Sequence, residues 1–80
     1  MKIEILGVGC PKCQKLYENV RQAVEQSGVD AEIVKVTKIS DISNYNVMLT
    51  PALVIDGEVK TSGTIPPVSE IEKWIKGQVN

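Results

Sequence analysis

The two cysteines of the chain stand three apart in Cys10-Pro11-Lys12-Cys13. Residues three apart on a helical turn share a face, at a separation a disulfide can bridge. The thiolate, not the thiol, is the nucleophile, and the unpaired N–H groups at a helix N-terminus favour negative charge. Cys10 at the head of a helix is therefore expected to ionise near neutral pH and attack a disulfide. Cys13, one turn further in and on the apolar side, is expected to be less exposed and to resolve the mixed disulfide by attacking Cys10. Lys12 adds a solvent-screened positive charge and Pro11 stiffens the motif. Histidine is absent, which removes the commonest general base and every Cys-His scheme. Chemistry must fall to Cys, Asp, Glu, Lys or the backbone.

Other readings of the same thiols stay open. A structural disulfide would need an oxidising compartment. The opening Met1-Lys2-Ile3-Glu4-Ile5-Leu6 carries charges and lacks the apolar stretch of an export signal, so the expected setting is cytoplasmic. Structural zinc wants four Cys or His ligands, and two thiols cannot close such a site within one monomer. Two-coordinate Cu(I) on the same thiolates is chemically reasonable, since thiolates are soft ligands. Carriers of that kind usually run β-α-β-β-α-β and end on a strand. Gly7-Val8-Gly9 begins a phosphate-binding glycine pattern, but Lys12 stands where its third glycine belongs, and 80 residues cannot build a dinucleotide fold.

The elements that must hold this motif can be read from spacing. Eighty residues suffice for one domain, residues 1–80, and for no repeat array or roomy internal cavity. With 42% apolar residues but only Tyr17, Tyr45 and Trp74 as aromatics, the core must be built from Val, Ile, Leu and Ala. Nine basic and ten acidic residues, interspersed, leave no cationic footprint for nucleic acid. The longest strongly apolar run, Ala52–Ile55, falls far short of the roughly 20 residues of a membrane span, so no insertion is expected. Lys2–Leu6 reads as a strand. A helix opening near Pro11 carries apolar residues at 16, 20, 23 and 24 and closes at Gly28. Residues 31–36 read as a second strand. Ile39, Ile42 and Tyr45 suggest a short helix ended by Asn46. Ala52–Ile55, Asp56-Gly57 and Glu58–Ser62 form a hairpin signature. Pro67 opens a last helix with Val68, Ile71, Trp74, Ile75 and Val79 on one side. The order β-α-β-α-β-β-α predicts a two- or three-layer α/β unit.

Thr50-Pro51, just before the third strand, is a second candidate element. An X-Pro bond can be cis at a cost of only about 0.5–1 kcal/mol. A cis bond there would turn the Thr50 N–H and C=O outward beside the cysteines, where a partner chain could pair as an extra strand. A plain loop proline is the other reading.

Taken together, the Cys-x-x-Cys after the first strand, Thr50-Pro51 before the hairpin, Asp56-Gly57 in its turn, Gly63 beyond it and the closing helix resemble the thioredoxin superfamily over nearly the whole chain. Residues 45–57, Tyr-Asn-Val-Met-Leu-Thr-Pro-Ala-Leu-Val-Ile-Asp-Gly, look like those of the small archaeal and bacterial thioredoxin-like proteins of the redox-active disulfide protein 2 family. The resemblance implies a thioredoxin-like fold, with three helices on a four-stranded mixed sheet ordered 2-1-3-4. It further implies a cis Pro51 facing the cysteines and dithiol–disulfide exchange. The implied activity is a thiol–disulfide oxidoreductase without bound cofactor or metal. It would act as a monomer on a disulfide-containing protein and be restored by an upstream reductase. Glu4, six positions before Cys10, matches a buried acid that in thioredoxins helps the proton leave the resolving cysteine. If buried it becomes a usable proton acceptor; otherwise it is an exposed strand charge. Departures matter as well. Gly9 stands where thioredoxins place Trp, so the flat apolar platform for protein substrates is missing. Cys-Pro-x-Cys is closer to a glutaredoxin motif, which keeps a glutathione-dependent reductase as an alternative. Ser62-Gly63-Thr64-Ile65, however, lacks the Gly-Gly-acid pattern that binds glutathione.

Overall fold

The computed structural model describes residues 1–9 and 11–78. The order is β1 (Lys2–Leu6), α1 (Pro11–Ser27), β2 (Glu32–Val36), α2 (Ile39–Ser43), β3 (Ala52–Ile55), β4 (Glu58–Ser62) and α3 (Val68–Gln78). The strands form one sheet ordered β2-β1-β3-β4. β1 runs parallel to β2 and antiparallel to β3, and β3 is antiparallel to β4. This is the thioredoxin-like arrangement expected from the resemblance.

Period-two alternation sorts the central strands onto two cores. Ile3 and Ile5 of β1 and Leu53 and Ile55 of β3 join Leu16, Val20 and Ala23 of α1 and Ile71 and Ile75 of α3. On the other face Leu6, Ala52 and Val54 pack with Ile42 of α2, and Val36, Tyr45 and Val47 close around them. The molecule thus has three layers. Both central strands are buried on both faces, which is why β3 reads as a continuous apolar run, while β1 carries one buried charge, Glu4, among its apolar residues. Each fully buried aliphatic side chain contributes about 1.5–3 kcal/mol through removal from water.

The ends of the elements follow local chemistry. Pro11 opens α1, where its missing N–H costs nothing, and the chain leaves α1 at Gly28, φ 71°. Asp56 and Gly57, at φ 49° and 84°, supply the two positive angles of a tight hairpin turn. The Pro67 carbonyl accepts the N–H groups of Glu70 and Ile71 at 3.1 and 3.2 Å, so α3 begins one residue beyond the expected Pro67. β2 likewise starts at Glu32 rather than 31. Val79, expected on the α3 stripe, lies outside the described residues. A side-chain bond from Asn19 Nδ2 to the Pro66 carbonyl, 3.1 Å, ties α1 to the approach of α3.

Candidate functional site

The site is built where β1 stops and α1 begins. Gly7 leaves the strand with its N–H donated to the Val36 carbonyl, 3.0 Å, so the backbone there is fixed to β2. In the first turn of α1, Cys13 starts the stripe that continues through Leu16, Val20 and Ala23. That stripe faces the sheet and carries Cys13 over Gly7. A Cβ on Gly7 would fall on Cys13 Sγ, 3.3 Å from Cys13 Cβ and 4.0 Å from Pro51 Cα. Gly7 is therefore required for space, not for its backbone angle. Cys13 is 8% exposed. Pro11 and Lys12 face outward.

Across Gly7 from Cys13 lies the Thr50–Pro51 segment, whose peptide bond is cis. Pro51 is buried and Thr50 exposed. The end of β4 braces this loop: Ser62 Oγ donates to the Leu49 carbonyl and Gly63 N–H to the Pro51 carbonyl, both at 2.8 Å. Gly63 has φ 78°, and a Cβ there would approach Leu49 Cβ to 2.8 Å. A side chain at 63 would meet both a backbone and a packing penalty.

Glu4 is buried, at 9% exposure, which removes the reading of an exposed strand charge. Its neighbours in register are Val34 and Val54, on the face covered by α2. The Tyr45 hydroxyl, from the turn after α2, donates to Glu4 Oε2. That hydrogen bond is the main reason the Tyr45 hydroxyl is held above its ordinary pKa of 10.0, followed by burial and then by the negative charges of Glu4 and Asp41. Losing the proton would turn a donor into a second anion beside the carboxylate.

Of the residues singled out in the sequence, the structure gathers Cys13 and Pro51 around Gly7 and leaves Lys12 and Thr50 outward. Glu4 projects from β1 to the α2 side. Cys10 lies outside the described residues. Two further positions belong to the site. In the sequence Gly7 reads as part of a broken phosphate loop; its signal is a small residue where a strand end passes under a helix head. Tyr45 reads as a helix position, and nothing in the local sequence ties it to a residue 41 positions away.

A pocket opens on the α1 side of the same strand end, between Cys13 and Tyr17 of α1 and Lys35 and Thr37 at the end of β2. The Lys35 ammonium sits 4.2 Å from the centre of the Tyr17 ring.

The family described as Thioredoxin domain matches residues 1–76. The chain belongs to the thioredoxin-domain family. Two archaeal relatives agree with the assignment. A thioredoxin of Methanocaldococcus jannaschii is 49% identical over 74 residues, 92% of this chain and 85% of the relative. One of Methanothermobacter thermautotrophicus is 41% identical over 73 residues, 91% of this chain and 95% of the relative. The activity of the thioredoxin-domain family is thiol–disulfide redox chemistry. In this thioredoxin-domain protein the residue before the first cysteine is an exposed glycine, Gly9.

Proposed function

We infer that Cys10-Pro11-Lys12-Cys13 is a dithiol–disulfide exchange centre acting on disulfides of partner proteins. The Cys10 thiolate forms a bond to one substrate sulfur, the substrate S–S bond breaks, and one substrate thiolate leaves. Cys13 then attacks the Cys10 sulfur and releases the second thiolate, so the dithiol gives up two electrons and ends as the Cys10–Cys13 disulfide. An upstream reductase restores it, in a cytoplasmic setting that keeps thiols reduced. The observation that supports this reading most directly is the seating of Cys13 Sγ over Gly7 with Pro51 against the same glycine. A sulfur held there cannot swing away, while Cys10 precedes the first turn of a 17-residue helix, where the backbone favours a thiolate. Thr50, exposed beside Pro51, offers its backbone to an extended partner chain.

In this scheme Glu4 is the acceptor for the Cys13 proton. It is the buried carboxylate of the strand that ends beneath Cys13, and Tyr45 holds its second oxygen. The β-α-β-α-β-β-α order and the family assignment favour exchange over Cu(I) carriage, and nothing described favours glutathione as the partner.

The test uses both single-cysteine variants with insulin as the disulfide substrate. Cys10→Ser is expected to abolish reduction, whereas Cys13→Ser is expected to accumulate a mixed disulfide through Cys10. Full activity of Cys10→Ser would refute the assigned roles.

A further inference from the structure

The pocket beside Cys13 plays no part in the exchange scheme, and its lining is selective. Buried Cys13 and Gly7 line it together with Gly9 and with Tyr17 of α1, and Lys35 and Thr37 line it from the end of β2. The remaining lining residues, Ile5 and Gln14, are neutral, so no carboxylate side chain among the described residues lines the pocket. None of the ion pairs among the described residues involves Lys35. Its contact is with the face of Tyr17, which holds the ammonium in place without neutralising it. An ammonium carries three donors, and a ring on one side leaves others for an oxygen ligand. Thr37, whose hydroxyl is a further donor, lines the same space. The Lys35 ammonium, the Thr37 side chain and apolar Ile5 thus share one pocket with Gly9 and Cys13.

We propose that this pocket is a subsite for the carboxylate of a small anionic disulfide, with Lys35 as its recognition residue. The inference rests on the exchange chemistry proposed above and adds a class of substrate to it. Cys10 attacks one sulfur of the small disulfide and expels the first carboxylated thiolate. The second half stays on Cys10 with its carboxylate against Lys35 and leaves as a thiolate when Cys13 attacks Cys10. Two electrons pass from the dithiol to the small disulfide, and the dithiol protons pass to the released thiolates through water.

The reduced protein is assayed with three disulfides of similar size: 3,3′-dithiodipropionate, which carries two carboxylates, neutral 2-hydroxyethyl disulfide, and cationic cystamine. With each kcat/KM divided by the rate constant of dithiothreitol on the same disulfide, which cancels the different leaving-group pKa values, the wild type is expected to favour dithiodipropionate most and cystamine least. The anionic-to-neutral ratio should fall as salt rises, because an exposed cation is screened. Lys35→Gln is expected to lower that ratio up to about fivefold, chiefly through KM, the range of a solvent-exposed ion pair. Lys35→Arg, which keeps the charge, should retain it. Equal corrected values for all three disulfides, or a ratio that Lys35→Gln leaves unchanged, would overturn the subsite while leaving the exchange chemistry intact. Failure to reduce any of the three would overturn both.

Discussion

At the scale of single residues the site depends on an absent atom and a hydroxyl. Gly7 has no Cβ, and Cys13 Sγ occupies the space a Cβ would need. Gly7→Ala must push the Cys13 side chain aside, and overpacking of this kind costs about 1–3 kcal/mol. The variant is expected to lose that much stability in urea unfolding and also to slow the resolving step, seen as more trapped mixed disulfide in single-turnover experiments. Tyr45 makes a different case. The raised hydroxyl pKa means that the folded state holds this proton more tightly than the unfolded chain does. The stabilisation is complete below the unfolded value of about 10 and is lost as pH rises from there through the folded value. Stability followed from pH 8 upward should therefore fall beyond pH 10, and Tyr45→Phe should remove the Tyr45 share of that fall. At neutral pH the same variant deprives a buried carboxylate of its donor, at a cost of about 1–3 kcal/mol. Neither residue stood out in the sequence. A need for space is set by what arrives from another element, here α1, and a bond across 41 positions leaves no local trace.

The elements were far more legible, because their signals are local. β1 and the hairpin appear at their expected residues, since β-branched runs and Asp-Gly determine strands and turn without reference to the rest of the chain. The helical stripe of α1 was readable for the same reason. α2 was less so. Ile39 shared a three-residue spacing with Ile42 and Tyr45, yet it is 74% exposed and the helix ends at Ser43. Five residues are too few for periodicity to define a face. The burial of Glu4 depended on this same element. Alternation places Glu4 opposite Ile3 and Ile5, but only the cover supplied by α2 and Tyr45 buries it. The two turns at the ends of β3 and β4 offer a comparison. Gly63 lies at the site end and braces Pro51, whereas Gly57 lies beyond the opposite end of β3, with open space around its Cβ position. Both have positive φ. Gly57→Ala is expected to cost about 1 kcal/mol with insulin reduction unchanged. Gly63→Ala is expected to cost about 1–3 kcal/mol, since it also meets Leu49, and to depress turnover by loosening the Thr50–Pro51 loop.

At the scale of the whole molecule, three layers serve one small region. β1 and α1 bring Gly7 and Cys13 together, β3 and β4 hold Pro51 opposite them, and α2 with its following turn covers Glu4. No helix among the described residues is long and apolar enough to cross a membrane. A chain of this size gains little from any single contact, so the centre is held through the ends of the same elements that bury its core. That economy explains why the fold and the motif could be read from the sequence together. The space around Cys13 depends on four elements meeting and became visible only once they were assembled. We propose that the head of α1 makes Cys10 an activated nucleophile. This activation is tested most directly by the pH dependence of iodoacetamide alkylation of the reduced protein, with each cysteine followed separately by mass spectrometry. Cys10 is expected to react with an apparent pKa clearly below the roughly 8.5 of an unperturbed cysteine, and well ahead of Cys13. Alkylation of Cys10 at mildly acidic pH no faster than that of free cysteine would contradict the account.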